Sequence, residues 1–241
     1  MKVGHVLRPL VDLIFPPRCP VCGDSISAQD GVCAQCWAGL DFPTEPWCQS
    51  CQRPFSANSG IEGGSCAVCL AEKPYHDGII AAVRYNDVAR SLVLRLKYSR
   101  RLGLAKLMGT AMAARLDPLE DETLLLPVPL HPLRLWHRGF NQSILLAEEI
   151  RRKKGGVVAV AALRRRRYTP SLGGKGRKSR EKILRGAIDL RDSWKERIKG
   201  RDVIIVDDVL TSGATTRACV SALRKAGAKT VRIACFARVL D

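Results

Sequence analysis

Eight cysteines between residues 19 and 69 fall into four C-x-x-C pairs: Cys19/Cys22, Cys33/Cys36, Cys48/Cys51 and Cys66/Cys69. Each pair can make a tight turn that aims two thiolates at one point. Two such turns complete a tetrahedral four-thiolate zinc site with Zn–S of about 2.3 Å. The gaps between pairs, residues 23–32 and 52–65, suit the short loops or hairpins of zinc ribbons. Gly23 follows the first knuckle, where the backbone has to turn sharply. A redox dithiol is the competing reading, but this region has few apolar residues besides Trp37, Trp47 and Phe55. Metal therefore has to organise it. With every ligand position a thiolate, the expected role is structural, with two zinc ions. Sequential pairing (19/22 with 33/36, 48/51 with 66/69) is simplest; crossed pairing satisfies the same spacing. Cys219 and Cys235 stand apart in apolar surroundings and read as small core residues.

The N-terminal stretch MKVGHVLRPLVDLIFPP has one apolar face, of Val3, Val6, Leu7, Leu10, Val11 and Ile14. It predicts a short amphipathic helix docked on the protein. Arg8 and Asp12 interrupt it, and no small-residue cleavage site follows, so it is not read as a secretory signal. No transmembrane run is present in the sequence, and membrane insertion is not expected. A reducing, cytoplasmic location follows, in which cysteines stay unpaired as disulfides.

After Pro74 the character changes. Residues 78–85 read as a strand, 87–98 and 103–115 as helices, and 124–129 as a buried strand ending in two prolines. Residues 130–140, LHPLRLWHRGF, read as a loop, 141–154 as a helix and 157–161 as a strand. Residues 187–190 read as an edge strand, 203–206 as the central strand, 213–226 as a helix and 230–237 as the last strand. Strands alternate with helices, so residues 76–241 are expected to form an α/β domain around an open, mostly parallel sheet. Residues 1–75 form the cysteine module. Ligands on such sheets bind at the carboxyl ends of the strands.

Charge is uneven. The chain is +17 overall, yet residues 1–75 hold 5 basic and 7 acidic side chains. Residues 151–201 hold 19 basic and 4 acidic ones. Such a block suits a polyanionic partner, nucleic acid or a ligand with several phosphates; a solvated surface is the plainer alternative. Within it, residues 164–182 (RRRRYTPSLGGKGRKSREK) lack apolar periodicity and read as a flexible loop.

The stretch VIIVDDVLTSGATT, residues 203–216, carries the most chemistry. An apolar strand ending in Asp-Asp also describes a Walker B segment, but no GxxxxGK[ST] loop accompanies it. No GxGxxG follows a strand either. An ATPase and a dinucleotide enzyme are thereby set aside. Thr211, Ser212, Gly213, Ala214 and Thr215 are small enough for successive N–H groups to face one hollow at a helix N-terminus, an anion nest sized for phosphate. Asp207 and Asp208 beside that nest would repel the phosphate directly. They make sense as acceptors for the vicinal hydroxyls of an attached sugar.

This stretch resembles the phosphoribosyl-diphosphate (PRPP) motif of type I phosphoribosyltransferases: four apolar residues, two acids, two variable positions and a Thr/Ser-Gly-x-Thr loop. With the cysteine module before it, the chain resembles the ComF family of competence-associated proteins. Further matches are Leu96-Lys97-Tyr98, Pro127-Val128-Pro129-Leu130 and the run from His131 through Arg134 and Arg138 to Gln142. The resemblance implies a double zinc ribbon joined to a type I phosphoribosyltransferase fold, with Mg2+ accompanying PRPP. It makes Asp207 and Asp208 the catalytic pair holding the ribose, and residues 211–215 the 5-phosphate loop. Pro129, Leu130, Arg134, Arg138, Arg167, Lys175 and Arg180 fall to the diphosphate loop and the flexible hood. His131 and His137 are candidates for diphosphate or acceptor contact. Pentosyl transfer from PRPP is the implied activity, linked to competence, DNA uptake or nucleotide metabolism. A non-catalytic accessory that binds single- or double-stranded DNA or DNA-uptake proteins, or a PRPP sensor, uses the same features. A homodimer is among the assemblies this admits.

Overall fold

A computed structural model of the chain describes residues 16–56, 64–99, 101–167 and 186–240. The expected N-terminal helix and most of the basic loop lie outside these residues. The cysteine module contributes two short helices, α1 (Ala34–Ala38) and α2 (Ala67–Ala71), each opened by a cysteine at its N-cap, Cys33 and Cys66. The turns at the other cysteine pairs are flanked by isolated bridges, Arg18 with Ser25 and Trp47 with Pro54. This is the ribbon pattern of a knuckle answered by a helical turn.

Strand β1 (Ile79–Arg84) leads into α3 (Asp87–Tyr98), capped by Asn86, whose side chain accepts from the Ala89 N–H at 2.9 Å. Helix α4 (Gly103–Ala113) precedes β2 (Leu124–Pro127). Residues 132–138, expected as loop, form a helix, α5 (Pro132–Arg138). Its signals are local: His131 caps it, Pro132 sits at the first helical position, and Gly139 ends it at φ +82°. Helix α6 (Gln142–Lys154) follows under an Asn141 cap. Beyond it, β3 is only Val157–Val158, shorter than the expected strand.

Strands β4 (Leu163–Arg165) and β5 (Ile188–Leu190) pair antiparallel in a separate two-stranded sheet. The expected edge strand thus belongs to this hairpin, and the basic segment between its strands begins as β4. A helical turn, α7 (Lys195–Ile198), leads to β6 (Asp202–Leu210), α8 (Ala214–Lys225) and β7 (Thr230–Arg238).

The main sheet has order β1-β7-β6-β2-β3, all parallel. Alternation along β6 divides the core. Val203 and Ile205 face α8, with Val220 and Leu223. Ile204 and Val206 face α3, α4 and α6, with Leu92, Met108, Leu146 and Ile150. Cys219 and Cys235 are fully buried in these layers, as expected, and burial pushes the Cys235 thiol up to about 12.

The second ribbon and the segment leading into it lie against the open edge of β1. Ile79 N–H donates to Ser50 O at 3.1 Å, Ala81 N–H to Gln52 Oε1 at 2.7 Å and Arg84 N–H to Asp41 O at 2.7 Å.

Candidate functional site

The cysteines resolve the pairing question. Cys19, Cys22, Cys33 and Cys36 form one group, and Cys48, Cys51, Cys66 and Cys69 a second. Within each, the sulfurs lie within 4.8 Å of one another, the sequential arrangement. Cys22 and Cys33 sulfurs are 3.5 Å apart, and Cys51 and Cys66 sulfurs 3.6 Å. A zinc tetrahedron at the usual bond length has an edge of about 3.8 Å, so four thiolates here fit the ion. Backbone N–H groups aim at the sulfurs: Cys36 N–H at Cys33 and Cys66 N–H at Cys48. Burial works against the Cys48 thiolate, but the N–H groups of Cys66 and Cys51 outweigh it and bring the thiol down to about 7. Both groups suit structural zinc.

The second site lies where β6 outruns β2. Pairing of β6 with β2 stops at Val206 opposite Pro127, while pairing with β7 continues to Leu210. Pro127 and Pro129 cannot extend a ladder. Asp207 and Asp208 therefore lie inside a nine-residue strand that has lost one neighbour, rather than after a four-residue strand as the sequence suggested. This is the crevice at the sheet's switch point, since α6 after β2 and α8 after β6 pack on opposite faces.

Helices α3 and α6 reach the acids directly, and α5 reaches them through Gln142. Lys97 in the last turn of α3 puts its ammonium 2.5 Å from Asp208 Oδ2, on a carboxylate only 3% exposed. The Ser143 hydroxyl in the first turn of α6 donates to Asp207 Oδ1 at 3.2 Å, and the Asp208 N–H donates to the same oxygen at 2.9 Å. Gln142 reaches Asp208 Oδ1 from 3.4 Å and accepts from Arg138 at 2.6 Å. Arg138 also lies over the Tyr98 ring, 5.5 Å from its centroid. Burial, and then the charge of Asp208, push the Asp207 carboxyl up to about 7, against the pull of Lys97. The cation closest to this acid pair is Lys97.

Beside the acids, residues 211–213 turn into α8 and line a recess with Asp207, Ala214, Thr215 and Thr216. Gly213 sits at φ +72°, a left-handed conformation natural to glycine. The first turn of α8, whose leading N–H groups have no acceptor within the helix, lines this recess.

The other assigned residues divide. Pro129 is buried beside β6, held by the Val128 N–H bond to Val206 O at 2.9 Å and by Asn141 Nδ2 donating to Val128 O at 3.0 Å. Leu130 is half-buried next to it. Arg134 and Asp207 both act on the buried Arg165, whose guanidinium is destabilised first by burial and then by Arg134. Arg167 is exposed at the base of the hairpin. Lys175 and Arg180 lie outside the described residues. His131 Nδ1 accepts from the Leu133 N–H at 3.3 Å, a capping role, and His137 is exposed against Trp136. Sequence reasoning gave no role to Lys97, Gln142 or Ser143, and it counted Arg165 only within a basic run. The signal for Lys97 was its place four residues after the buried Val93, beside the apolar stripe of α3.

Comparison with known proteins places these features in two domains. Residues 10–71 match the double zinc ribbon domain, and residues 141–241 match the phosphoribosyl transferase domain. The chain is 28% identical to competence protein F of Haemophilus influenzae, over 86% of this chain and 96% of that protein. It is likewise 28% identical to the DNA utilization protein YhgH of Escherichia coli strain K12, over 95% of this chain and all of that protein. Among solved structures, an allosteric regulatory enzyme of purine biosynthesis overlaps with a TM-score of 0.38 at 24% identity, over 56% of this chain and 26% of that one. That overlap is too slight to bear on function. The class is thus a zinc-ribbon protein with a phosphoribosyltransferase domain. Within that class the chain is similar, over most of its length, to competence protein F and the DNA utilization protein YhgH.

Proposed function

We propose that the protein binds PRPP with Mg2+ in the crevice at the carboxyl end of β6 and transfers or senses its ribosyl group in the service of DNA uptake or utilization in the cytoplasm. The observation that carries this is the acid pair set beside a small-residue helix N-terminus. Asp207 and Asp208 offer acceptors for two neighbouring sugar hydroxyls, and residues 211–215 offer donors for the 5-phosphate, on one continuous strand–turn–helix. A phosphate alone would not be placed next to two carboxylates. A nucleoside triphosphate would call for a glycine-rich Lys loop that the sequence lacks.

Transfer from PRPP breaks the C1–O bond toward a cationic ribosyl centre and releases diphosphate. Mg2+, when bound with PRPP, supplies charge neutralisation for that leaving group. The chain's own part is positioning and electrostatics. Asp207 and Asp208 fix the ribose, and their negative charge favours the developing cation. Arg138 and Arg134, on the short helix that follows residues 127–130, provide positive charge where the diphosphate would lie. Lys97 holds the Asp208 carboxylate in place at 2.5 Å until sugar hydroxyls share its oxygens.

The test is a calorimetric titration of PRPP with Mg2+ into the zinc-loaded protein. Micromolar binding is expected, lost in Asp207→Asn/Asp208→Asn. No heat from the wild type would remove both transferase and sensor. Diphosphate release with an added acceptor separates the two.

A further inference from the structure

We propose that Tyr75, on the segment leaving the second zinc site, is a positioning residue for the phosphate loop and ties that loop's grip on phosphate to the second zinc ion. The inference rests on the PRPP reading in taking residues 211–215 as a phosphate site. It adds that the site's geometry is fixed from outside the strand–turn–helix that forms it.

A loop whose N–H groups must converge has to dispose of its carbonyls. Gly213 O accepts from the Arg217 N–H at 2.8 Å and the Thr216 hydroxyl at 2.9 Å, and the Tyr75 hydroxyl lies 3.3 Å from it. Tyr75 and Thr216 hydroxyls also lie 2.8 Å apart. A consistent proton arrangement is a relay: Tyr75 donates to Thr216, and Thr216 donates to Gly213 O. Thr216 is 1% exposed, so this relay is shielded from water and worth more than a surface bond. The approach is close: a Cβ on Gly213 would stand 2.6 Å from the Tyr75 hydroxyl. The loop's backbone is therefore moulded against Tyr75.

Tyr75 is itself held. Its ring meets His76 edge-on at 4.8 Å and carries the Arg217 guanidinium at 4.2 Å. It packs against the core layer that includes Cys48, Cys51 and Cys66. Five residues separate it from Cys69, with Pro74 stiffening the link. Cys51 and Cys69 line one small cavity together with Tyr75, Thr211, Ser212 and Gly213, so ribbon and loop share a wall. The first ribbon packs on the opposite layer through Val21 and Val32. Zinc in the second site fixes Cys69, Cys69 fixes the short run to Tyr75, and Tyr75 fixes the turn at Gly213.

The test uses full-length, zinc-loaded Tyr75→Phe, which keeps the ring and removes one hydroxyl. Ribose 5-phosphate and Mg-pyrophosphate are titrated separately into it and into the wild type. Loss of one buried hydrogen bond predicts about a tenfold weaker ribose 5-phosphate affinity. Pyrophosphate affinity and the zinc content of two per chain should not change. Linkage adds a second readout: ribose 5-phosphate should slow release of one of the two zinc ions to a chelator in the wild type but not in the variant. Equal affinity for ribose 5-phosphate in both proteins, equal weakening toward both ligands, or unchanged chelator protection in the variant would each overturn the role of Tyr75. A wild type silent toward both ligands would sink the PRPP reading itself, and this inference with it.

Discussion

Removing the Lys97 ammonium gives the sharpest test of how the acid pair is held. Lys97→Met keeps the length and apolar stem of the side chain but leaves Asp208, 3% exposed, with no cation at 2.5 Å. Breaking a fully buried pair costs roughly 3–5 kcal/mol, because one charge stays buried without compensation. Lys97 is 21% exposed, so water replaces part of its effect, and about 2–3 kcal/mol is expected. For a chain of this length that lowers Tm by about 4–12 °C. The loss must depend on pH. Lys97 pulls the Asp207 carboxyl down, so without it that carboxyl, already raised to about 7 by burial, rises further above its unfolded value. A raised carboxyl destabilises increasingly as pH rises toward the folded pKa, since its ionised form is what folding disfavours. The deficit should therefore be large at pH 8 and small at pH 5.5, where the pair takes up a proton instead. Lys97→Met/Asp208→Asn should recover most of it, with no unpaired charge left. Thermal unfolding of the wild type, Lys97→Met, Asp208→Asn and the double variant at both pH values, with zinc held constant, measures this. Equal losses at the two pH values, or strictly additive losses in the double variant, would refute the reasoning.

Two further outcomes follow from the sites. Metal analysis should return two zinc ions per chain, falling to one in either Cys22→Ser or Cys69→Ser, because each belongs to a separate four-thiolate group. PRPP affinity should climb between pH 6 and 8 and level off above, because Asp207 has to ionise from a carboxyl raised to about 7 before accepting two hydroxyl bonds; Asp207→Asn should give a weak and flat profile by calorimetry.

Much of the architecture could be read from residue types alone because the governing forces are local. C-x-x-C spacing constrains thiolates within one turn, and four β-branched residues before Asp207 describe a strand buried on both faces. Cues weaken where partners are distant in sequence. How far β6 extends is decided by β7, which keeps pairing as far as Arg238 after β2 has stopped at a proline. The short helix at 132–138 was hidden by its arginines and histidines, although His131, Pro132 and Gly139 supply a complete set of end signals. Two of the basic residues thought to await a polyanion, Arg164 and Arg166, are instead held by Asp189 across a hairpin, at 3.0 and 2.6 Å. Lys97 and Ser143 reach the acids across 111 and 64 residues of chain respectively, distances over which no periodicity speaks.

The contacts that the ribbon makes along β1 also bear on how the protein survives its own synthesis. An outer strand with bare N–H groups is a template for any other strand, and short apolar edges are where chains begin to aggregate. Here the donors of Ile79, Ala81 and Arg84 are answered by Ser50, Gln52 and Asp41, all from the cysteine module. Gln52 takes up its place in the left-handed region, at φ 53°, directly after the ligand Cys51. A chain still waiting for its metal would have its sheet assembled but that border unguarded. Zinc supply would then set how much of the newly made protein stays dispersed, before any question of catalysis arises.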